Sequence, residues 1–315
     1  MLKVCMIGLG SIGKRHLSNL EFALKKRKIK YQIDALRSGH SILPEKCEGI
    51  ICRQYNDIND LPDEYDVIFV TNPTSMHYET IKSVLNKTKH IFIEKPVFDS
   101  LDYHIAELGL KRDSVYYVAC PLRHKGIMKY VKEMVDESER VISARIISSS
   151  YLPSWRKGVD YREIYSAKKN LGGGVTKDLI HEWDYAIYLF GKPEKVLHIG
   201  GHLSGLEIDS DDISVYIARY PNMVLEMHLD YIGQKTERKL QLFTDDRRVD
   251  VDLVANAVKE YKGSQLVYEK KFPEEDFYLN EIEYFLDCIE GKQDNINTIN
   301  DAYNTLKVAM MGEGE

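Results

Sequence analysis

Two rhythms divide the chain. Over residues 1 to about 121, short apolar runs alternate with stretches of helical spacing. Runs at 4–7, 31–36, 67–71, 90–93 and 115–119 read as strands. Between them Gly13, Leu17, Leu20 and Leu24, and later Tyr78, Ile81 and Leu85, recur at the spacing of one helix face. Near-continuous apolar strands joined by amphipathic helices predict a parallel sheet covered on both faces. From about residue 140 the period changes to two. Met223, Leu225, Met227, Leu229 and Tyr231 alternate with Val224, Glu226, His228 and Asp230, and only Val224 breaks the polar series. That alternation predicts an antiparallel sheet with one covered face. Similar strands are expected at 141–150, 196–200, 213–220, 237–244, 247–253 and 265–270, with a hairpin turn at 244–248. The expected fold class is therefore α/β: an N-terminal parallel sheet in domain 1–121, then an α+β domain, 122–315, with a mostly antiparallel open sheet.

Bulk properties narrow the partners. The 315 residues are 43% hydrophobic, enough for about two domains with real cores. A net charge of −6 gives no electrostatic case for nucleic acid or an anionic membrane as partner. Cys5, Cys47, Cys52, Cys120 and Cys288 are scattered without a C-x-x-C pair, so neither a disulfide framework nor a zinc site is favoured. Reduced thiols point to a reducing compartment, and no metal is expected. The opening M-L-K-V-C-M-I-G-L-G reads as a core strand rather than a signal peptide, and no apolar run approaches the ~18 residues of a membrane helix. A cytoplasmic location is the expectation. The basic cluster Lys25-Lys26-Arg27-Lys28 suits a helix C-terminus, where cations complement the dipole.

Gly8-Leu9-Gly10-Ser11-Ile12-Gly13 follows the first strand and opens the first helix. The first glycine permits a tight turn, the second lets a pyrophosphate approach the backbone, and the third lets helix and strand pack closely. The N–H groups at the helix start then hold the anion. In this strand–turn–helix setting the motif predicts dinucleotide binding. The second strand ends Asp34-Ala35-Leu36-Arg37-Ser38, with no acid at its end for the ribose hydroxyls. Arg37 and Ser38 suit a 2′-phosphate, which favours NADP(H) over NAD(H). Asn72-Pro73-Thr74-Ser75-Met76-His77 leaves the next strand at its carboxyl end, where ligands bind in such sheets. Thr74 or Ser75 equally suits capping of the following helix. Glu94-Lys95-Pro96 closes another strand. Its lysine pairs structurally with Glu94 or, beside a hydroxyl, stabilises alkoxide charge and relays a proton.

The combination of the 8–13 glycine motif, the segment from Pro73 to His77 and Glu94-Lys95-Pro96 resembles the glucose–fructose oxidoreductase / inositol dehydrogenase (Gfo/Idh/MocA-type) family of NAD(P)-dependent oxidoreductases. The tripeptide is the most specific mark, and the likeness runs over the whole chain, more loosely in its second half. It implies a Rossmann-type first domain, a second domain whose open sheet often forms the subunit contact, and a Lys95 that touches both cofactor and substrate hydroxyl. Homodimer or homotetramer is the assembly expected.

A third motif lies further on. Gly172-Gly173-Gly174 precedes a helix expected from about Thr176 to Gly191. The glycines read as a mobile loop that approaches a ligand. Leu179, Trp183, Ala186 and Phe190 form one stripe, and Asp178, His181, Tyr185 and Tyr188 the next. Asp178 and His181 thus share a face, as a structural pair or as orienting carboxylate and proton acceptor. The resemblance favours the second reading and adds Asp184. Members usually have one residue more between the first aspartate and the histidine. Arg123, Tyr151, Trp155, Tyr161 and Asp184 are the expected substrate contacts, since aromatic faces pack on sugar C–H surfaces. An arm packing on a neighbouring subunit is the other reading of the segment around Trp155. Together the motifs predict hydride transfer between a nicotinamide and a hydroxyl-bearing carbon of a sugar, sugar derivative or polyol. A lyase or hydrolase holding NAD for transient sugar oxidation, and a non-catalytic NAD(P) sensor, remain alternatives.

Overall fold

The computed structural model describes residues 1–37, 47–137 and 140–310. In chain order its elements are β1 (Leu2–Ile7), α1 (Ser11–Lys26), β2 (Tyr31–Leu36), β3 (Ile51–Tyr55), β4 (Tyr65–Val70), α2 (His77–Val84), β5 (Thr88–Ile93), β6 (Tyr116–Val118), α3 (Gly126–Glu137), β7 (Ser143–Tyr151), α4 (Val175–Asp178), α5 (His181–Phe190), β8 (Lys195–Gly201), β9 (Ile213–Arg219), β10 (Val224–Asp230), β11 (Ile232–Phe243), β12 (Arg248–Asp252), β13 (Ala257–Lys262), β14 (Gln265–Lys271), α6 (Phe277–Ile289) and α7 (Ile299–Met310). They fall into two compact units, Met1–Pro121 with Asp276–Asn304, and Leu122–Glu275 with Thr305–Glu315.

In the first unit the strands order β3-β2-β1-β4-β5-β6, every neighbouring pair parallel. β1 lies between β2 and β4, so successive strands build outward from it in opposite directions. That reversal is the switch point where open parallel sheets bind ligands. The apolar runs become strands because both faces are covered: Val4, Met6, Phe69, Phe92 and Tyr117 are buried. α1 turns Gly13, Leu17, Leu20 and Leu24 inward. Its basic cluster sits at its C-terminus, where Lys26 pairs with Glu283 at 2.7 Å and Arg27 with Asp287 at 2.7 Å, both on α6. Asp276–Asn304, read from sequence with residues 122–315, thus clusters with the first unit. β3 escaped the sequence reading because only its two end residues are half-buried.

The second unit is an eight-stranded sheet ordered β14-β13-β12-β11-β7-β10-β9-β8, antiparallel except for β10 beside β7. Leu225, Met227, Leu229, Tyr216, Ala144, Ile146, Leu240 and Leu242 fill its covered face. The opposite face keeps Leu197, Ile199, Ile217 and Ile147 exposed. The 244–248 turn forms as expected, with Thr244 N–H donating to the Arg247 carbonyl at 3.0 Å. No helix among the described residues is long and apolar enough to cross a membrane.

Candidate functional site

Strand register brings the first unit's motifs together. Leu36 pairs with Ile7, Ile7 with Val70, and Val70 with Ile93. The next residues, Arg37, Gly8, Thr71 and Glu94, therefore leave the carboxyl edge of the sheet side by side. Gly8 has φ +90°, which a side chain would strain. A Cβ on Gly13 would lie 2.2 Å from the Gly8 carbonyl oxygen, so only glycine lets α1 pack here. The Thr71 hydroxyl donates to the same carbonyl at 2.6 Å and locks the turn. Gly10 differs: nothing lies within 4 Å of where its Cβ would be. α1 begins without a side-chain cap and without an acid in its first turn. Exposed backbone N–H groups, open space at Gly10 and the positive helix end at Ser11 and Ile12 fit a pyrophosphate.

At the end of β2, Asp34 is buried and accepts the Tyr65 hydroxyl at 2.9 Å. It is taken up inside the sheet, away from any ribose. Arg37 is half-buried, with its guanidinium on the Gln54 side-chain oxygen at 3.2 Å. Ser38 lies outside the described residues.

The loops after β4 and β5 are clamped by one imidazole. His77 Nε2 lies 3.0 Å from the Asn72 carbonyl, while Nδ1 lies 3.1 Å from that of Pro96 and 3.2 Å from that of Val97. Burial lowers the His77 pKa below the usual histidine value, against carbonyls that favour the charged form. His77 is only 1% exposed, so its nitrogens serve the loops. The residues that open α2 and the short turn Thr74–Met76 are Met76 and Pro73, and neither caps with its side chain. Pro73 is exposed and Asn72 half-buried. The Asn72 amide donates to Thr80 at 2.8 Å, and its Oδ1 is buried without a hydrogen-bond partner.

Glu94 is engaged inward. Its Oε1 lies 2.5 Å from Nε2 of the fully buried His16, and its Oε2 accepts the Lys95 backbone N–H at 3.0 Å. Burial works to raise the Glu94 carboxyl, but the His16 contact and the Lys95 charge outweigh it and hold it below its usual range. The carboxylate thus shapes the turn from which the half-buried Lys95 projects, followed by a cis bond to Pro96. His16 was missed in the sequence. Its signal is a polar residue one place before Leu17 on the buried stripe of α1.

In the second unit the glycine loop is packed rather than open. A Cβ on Gly174, at φ +121°, would lie 2.0 Å from Asp211 Oδ1, and one on Gly173 would lie 2.3 Å from the Tyr165 carbonyl. Close packing, not mobility, requires these glycines. The single helix expected from Thr176 to Gly191 is two: α4 stops at Asp178, Leu179 turns to φ −96°, ψ 25°, and α5 starts at His181. Asp178 accepts the Tyr231 hydroxyl at 2.6 Å, and burial beside that carboxylate pushes the phenol well above its usual pKa. Asp178 is 9% exposed and His181 8%. Arg123 and Asp184, both expected at the substrate, meet each other in a buried two-pronged pair at 3.0 and 2.8 Å. Burial raises the Asp184 carboxyl, and Arg123 opposes that shift.

Tyr151 and Trp155 line one pocket with Arg156 and Gln234. Tyr161 does not line it, and its hydroxyl accepts the Glu207 N–H at 3.2 Å.

Residues 2–108 match the model of an oxidoreductase family with an NAD-binding Rossmann fold, GFO_IDH_MocA. Over 96% of this chain and 91% of the other, the sequence is 26% identical to the oxidoreductase YrbE of Bacillus subtilis. It is also 26% identical to myo-inositol 2-dehydrogenase of Thermotoga maritima, over 92% of this chain and 89% of that one. A levoglucosan dehydrogenase solved with NADH and levoglucosan has the same fold, with a TM-score of 0.83 at 16% identity over 98% of this chain and 95% of that one. With its glycine loop and Glu94-Lys95-Pro96 turn at the edge of a parallel sheet, the stretch 2–108 carries the features of the GFO_IDH_MocA oxidoreductase family that its model matches.

Proposed function

We propose that the protein is an NAD(P)-dependent dehydrogenase acting on a hydroxyl-bearing carbon of a sugar, sugar derivative or polyol. The observation that carries this reading is the shared register at Ile7, Val70 and Ile93, which places the glycine cradle, Asn72 and the Glu94–Lys95 turn along one sheet edge. Dehydrogenase relatives spanning nearly the whole chain support it.

The dinucleotide belongs to 1–121, and the substrate and subunit contacts to 122–315. Gly8, Gly10, Ser11, Ile12 and Gly13 hold the pyrophosphate through backbone N–H groups. Asn72, Pro73 and Thr74 line the next stretch, with His77 and Pro96 holding that loop in shape. Arg37, with Ser38 beyond the described residues, favours NADP(H), because Asp34 is turned inward. When bound, the nicotinamide supplies the hydride acceptor or donor. Lys95 donates from Nζ to the substrate hydroxyl oxygen and stabilises its developing charge. The His181 imidazole accepts the hydroxyl proton, and Asp178, oriented by Tyr231, positions the group. Tyr151, Trp155 and Tyr161 are the substrate contacts. Arg123 and Asp184 support α5 from beneath. The exposed apolar face carrying Leu197, Ile199, Ile217 and Ile147 forms the contact of a homodimer or homotetramer. Five free thiols suit a cytoplasmic location.

The test is a panel of polyols and sugars with each dinucleotide, read by absorbance of the reduced nicotinamide. Lys95→Ala is expected to lower turnover by about 10²–10⁴. Full turnover in that variant, or no calorimetric affinity for either dinucleotide, refutes the reading. Arg37→Ala is expected to weaken NADP selectively, and equal affinities before and after overturn the preference.

A further inference from the structure

A break in β11 builds a pocket that carries its own chemistry. β11 pairs Ile232 with Tyr151, then resumes only at Glu237 opposite Ser149. Residues 233–236 leave the ladder where β7 offers only Ser150. Asp230, buried at the end of β10, fixes this bulge. One of its oxygens accepts the Ile232 N–H at 2.9 Å, the Gly233 N–H at 2.8 Å and the Ser149 hydroxyl at 3.0 Å, while the other lies 2.9 Å from His228 Nε2. A Cβ at Gly233 would lie 1.9 Å from Ser149 Oγ, so a side chain there would displace that hydroxyl from Asp230. Bulges of this kind re-aim side chains beside binding sites.

The opening is a cavity of about 410 Å³, lined among others by Ser150, Tyr151, Trp155, Arg156, Gln234 and Thr236. That volume accommodates a small-molecule ligand. Trp155 is 37% exposed, and it is fixed in place. Its Nε1 donates to Ser150 Oγ at 2.9 Å, and its ring meets Tyr231 edge-on at 5.2 Å. Tyr231 in turn donates to Asp178, so the pocket adjoins the carboxylate of the proposed site. Arg156 is the charged residue of the wall, and no carboxylate lines it. Other arginines of this unit are neutralised: Arg162 by Asp160 and Glu207, Arg123 by Asp184, Arg238 by Glu182. Among the described residues Arg156 has no ion-pair partner.

We propose that this pocket binds an anionic sugar, one bearing a carboxylate or a phosphate. Arg156 holds the anion, Trp155 packs on the C–H face of the ring, and Gln234 and the Ser150 hydroxyl meet ring hydroxyls. The proposal rests on the reading of the second unit as the substrate-binding half. It names the substrate class that half selects.

The test is binding to the full chain without dinucleotide, read by tryptophan fluorescence and calorimetry. Trp183, the other tryptophan, is fully buried, so a ligand-dependent change reports Trp155. Glucuronate, glucose 6-phosphate, glucose and inorganic phosphate are the probes. Glucuronate or glucose 6-phosphate is expected to bind at least about tenfold tighter than glucose, since a charge-assisted contact outweighs a neutral one. Which of the two binds tells carboxylate from phosphate. Arg156→Gln is expected to bring that ligand to the affinity of glucose and leave glucose itself unchanged. Trp155→Phe is expected to abolish the fluorescence change while calorimetry still detects weakened binding. Equal binding of glucose and the anionic sugars, no binding by any of them, or inorganic phosphate matching glucose 6-phosphate each overturns the proposal. A chain that binds the sugar acid yet turns over no dinucleotide refutes the dehydrogenase reading alone, whereas turnover of neutral sugars with Arg156→Gln unaltered for every ligand refutes the pocket alone.

Discussion

Replacing His16 by alanine probes what holds the turn before Lys95. His16 is fully buried and Glu94 is 6% exposed, with Nε2 and Oε1 2.5 Å apart. The imidazole sits among aromatic rings, its centroid 4.9 Å from Phe92 and 6.3 Å from Phe69. His16→Ala leaves Glu94 with one oxygen on the Lys95 N–H and the other facing those rings. Breaking a buried pair from one side costs about 3–5 kcal/mol. At roughly 2–4 °C per kcal/mol for a large domain, melting is expected to fall by about 10 °C. Glu94→Gln keeps an acceptor for the Lys95 N–H and buries no charge, so its cost is smaller, about 1–2 kcal/mol. The pH dependence has a definite sign. A carboxyl lowered on folding stabilises the fold fully above its ordinary value of 4.5, and the contribution is lost as pH falls through the lower native value. The gap between wild type and Glu94→Gln is therefore constant near neutrality and shrinks in acid. Far-ultraviolet circular dichroism is the assay, because both tryptophans lie in the second unit. If His16→Ala melts within about 2 °C of wild type, or Glu94→Gln is the more damaging change, the pair does not hold this turn.

Three further outcomes follow from the geometry. Gly13→Ala drives a methyl to 2.2 Å from the Gly8 carbonyl, so dinucleotide affinity measured by calorimetry is expected to fall by more than about tenfold, and an unchanged Kd contradicts the cradle. Arg123→Ala strands the buried Asp184 carboxylate and is expected to cost about 3–5 kcal/mol in urea unfolding followed by tryptophan fluorescence. A raised substrate KM with unchanged stability would instead return Arg123 to the substrate. Ile199→Asp puts a charge on the face where Ile199 is 76% exposed; sedimentation is expected to show smaller assemblies, and an unchanged oligomer places the contact elsewhere.

The first unit was legible because its information is local and one-dimensional. A strand buried on both faces is a run of apolar residues, and a phosphate cradle is a run of glycines between strand and helix. What stayed hidden there is pairing across distance. Asp34 is recognisable as lying within a strand, but its Tyr65 partner is supplied by β4. His16 reads as one polar residue on an apolar stripe, and only the register of β5 brings Glu94 to it. β3 carries too little burial to leave a pattern. In the second unit, alternation marked most strands, but not the one place where alternation fails, the β11 bulge, which the Asp230 carboxylate fixes.

Helix α5 shows why periodicity misjudges a site. Apolar positions run at helical spacing from Leu179 to Phe190, and a single helix would set Asp178 and His181 on one face. Periodicity, however, reports burial, and burial continues across the break at Leu179 because both segments are enclosed. The segments answer to different anchors. Asp211 accepts both the Thr176 N–H at 2.9 Å and its hydroxyl at 2.7 Å, which fixes α4. Arg123 on Asp184 and Arg238 on Glu182 fix α5. Asp178, the last residue of the first segment, is therefore directed by the Tyr231 hydroxyl rather than by spacing from His181. The interval that is one residue short of the family's habit coincides with this break. The Asp178 carboxylate thus takes its orientation from a distant partner, the Tyr231 hydroxyl between β10 and β11, and not from the helix that carries it.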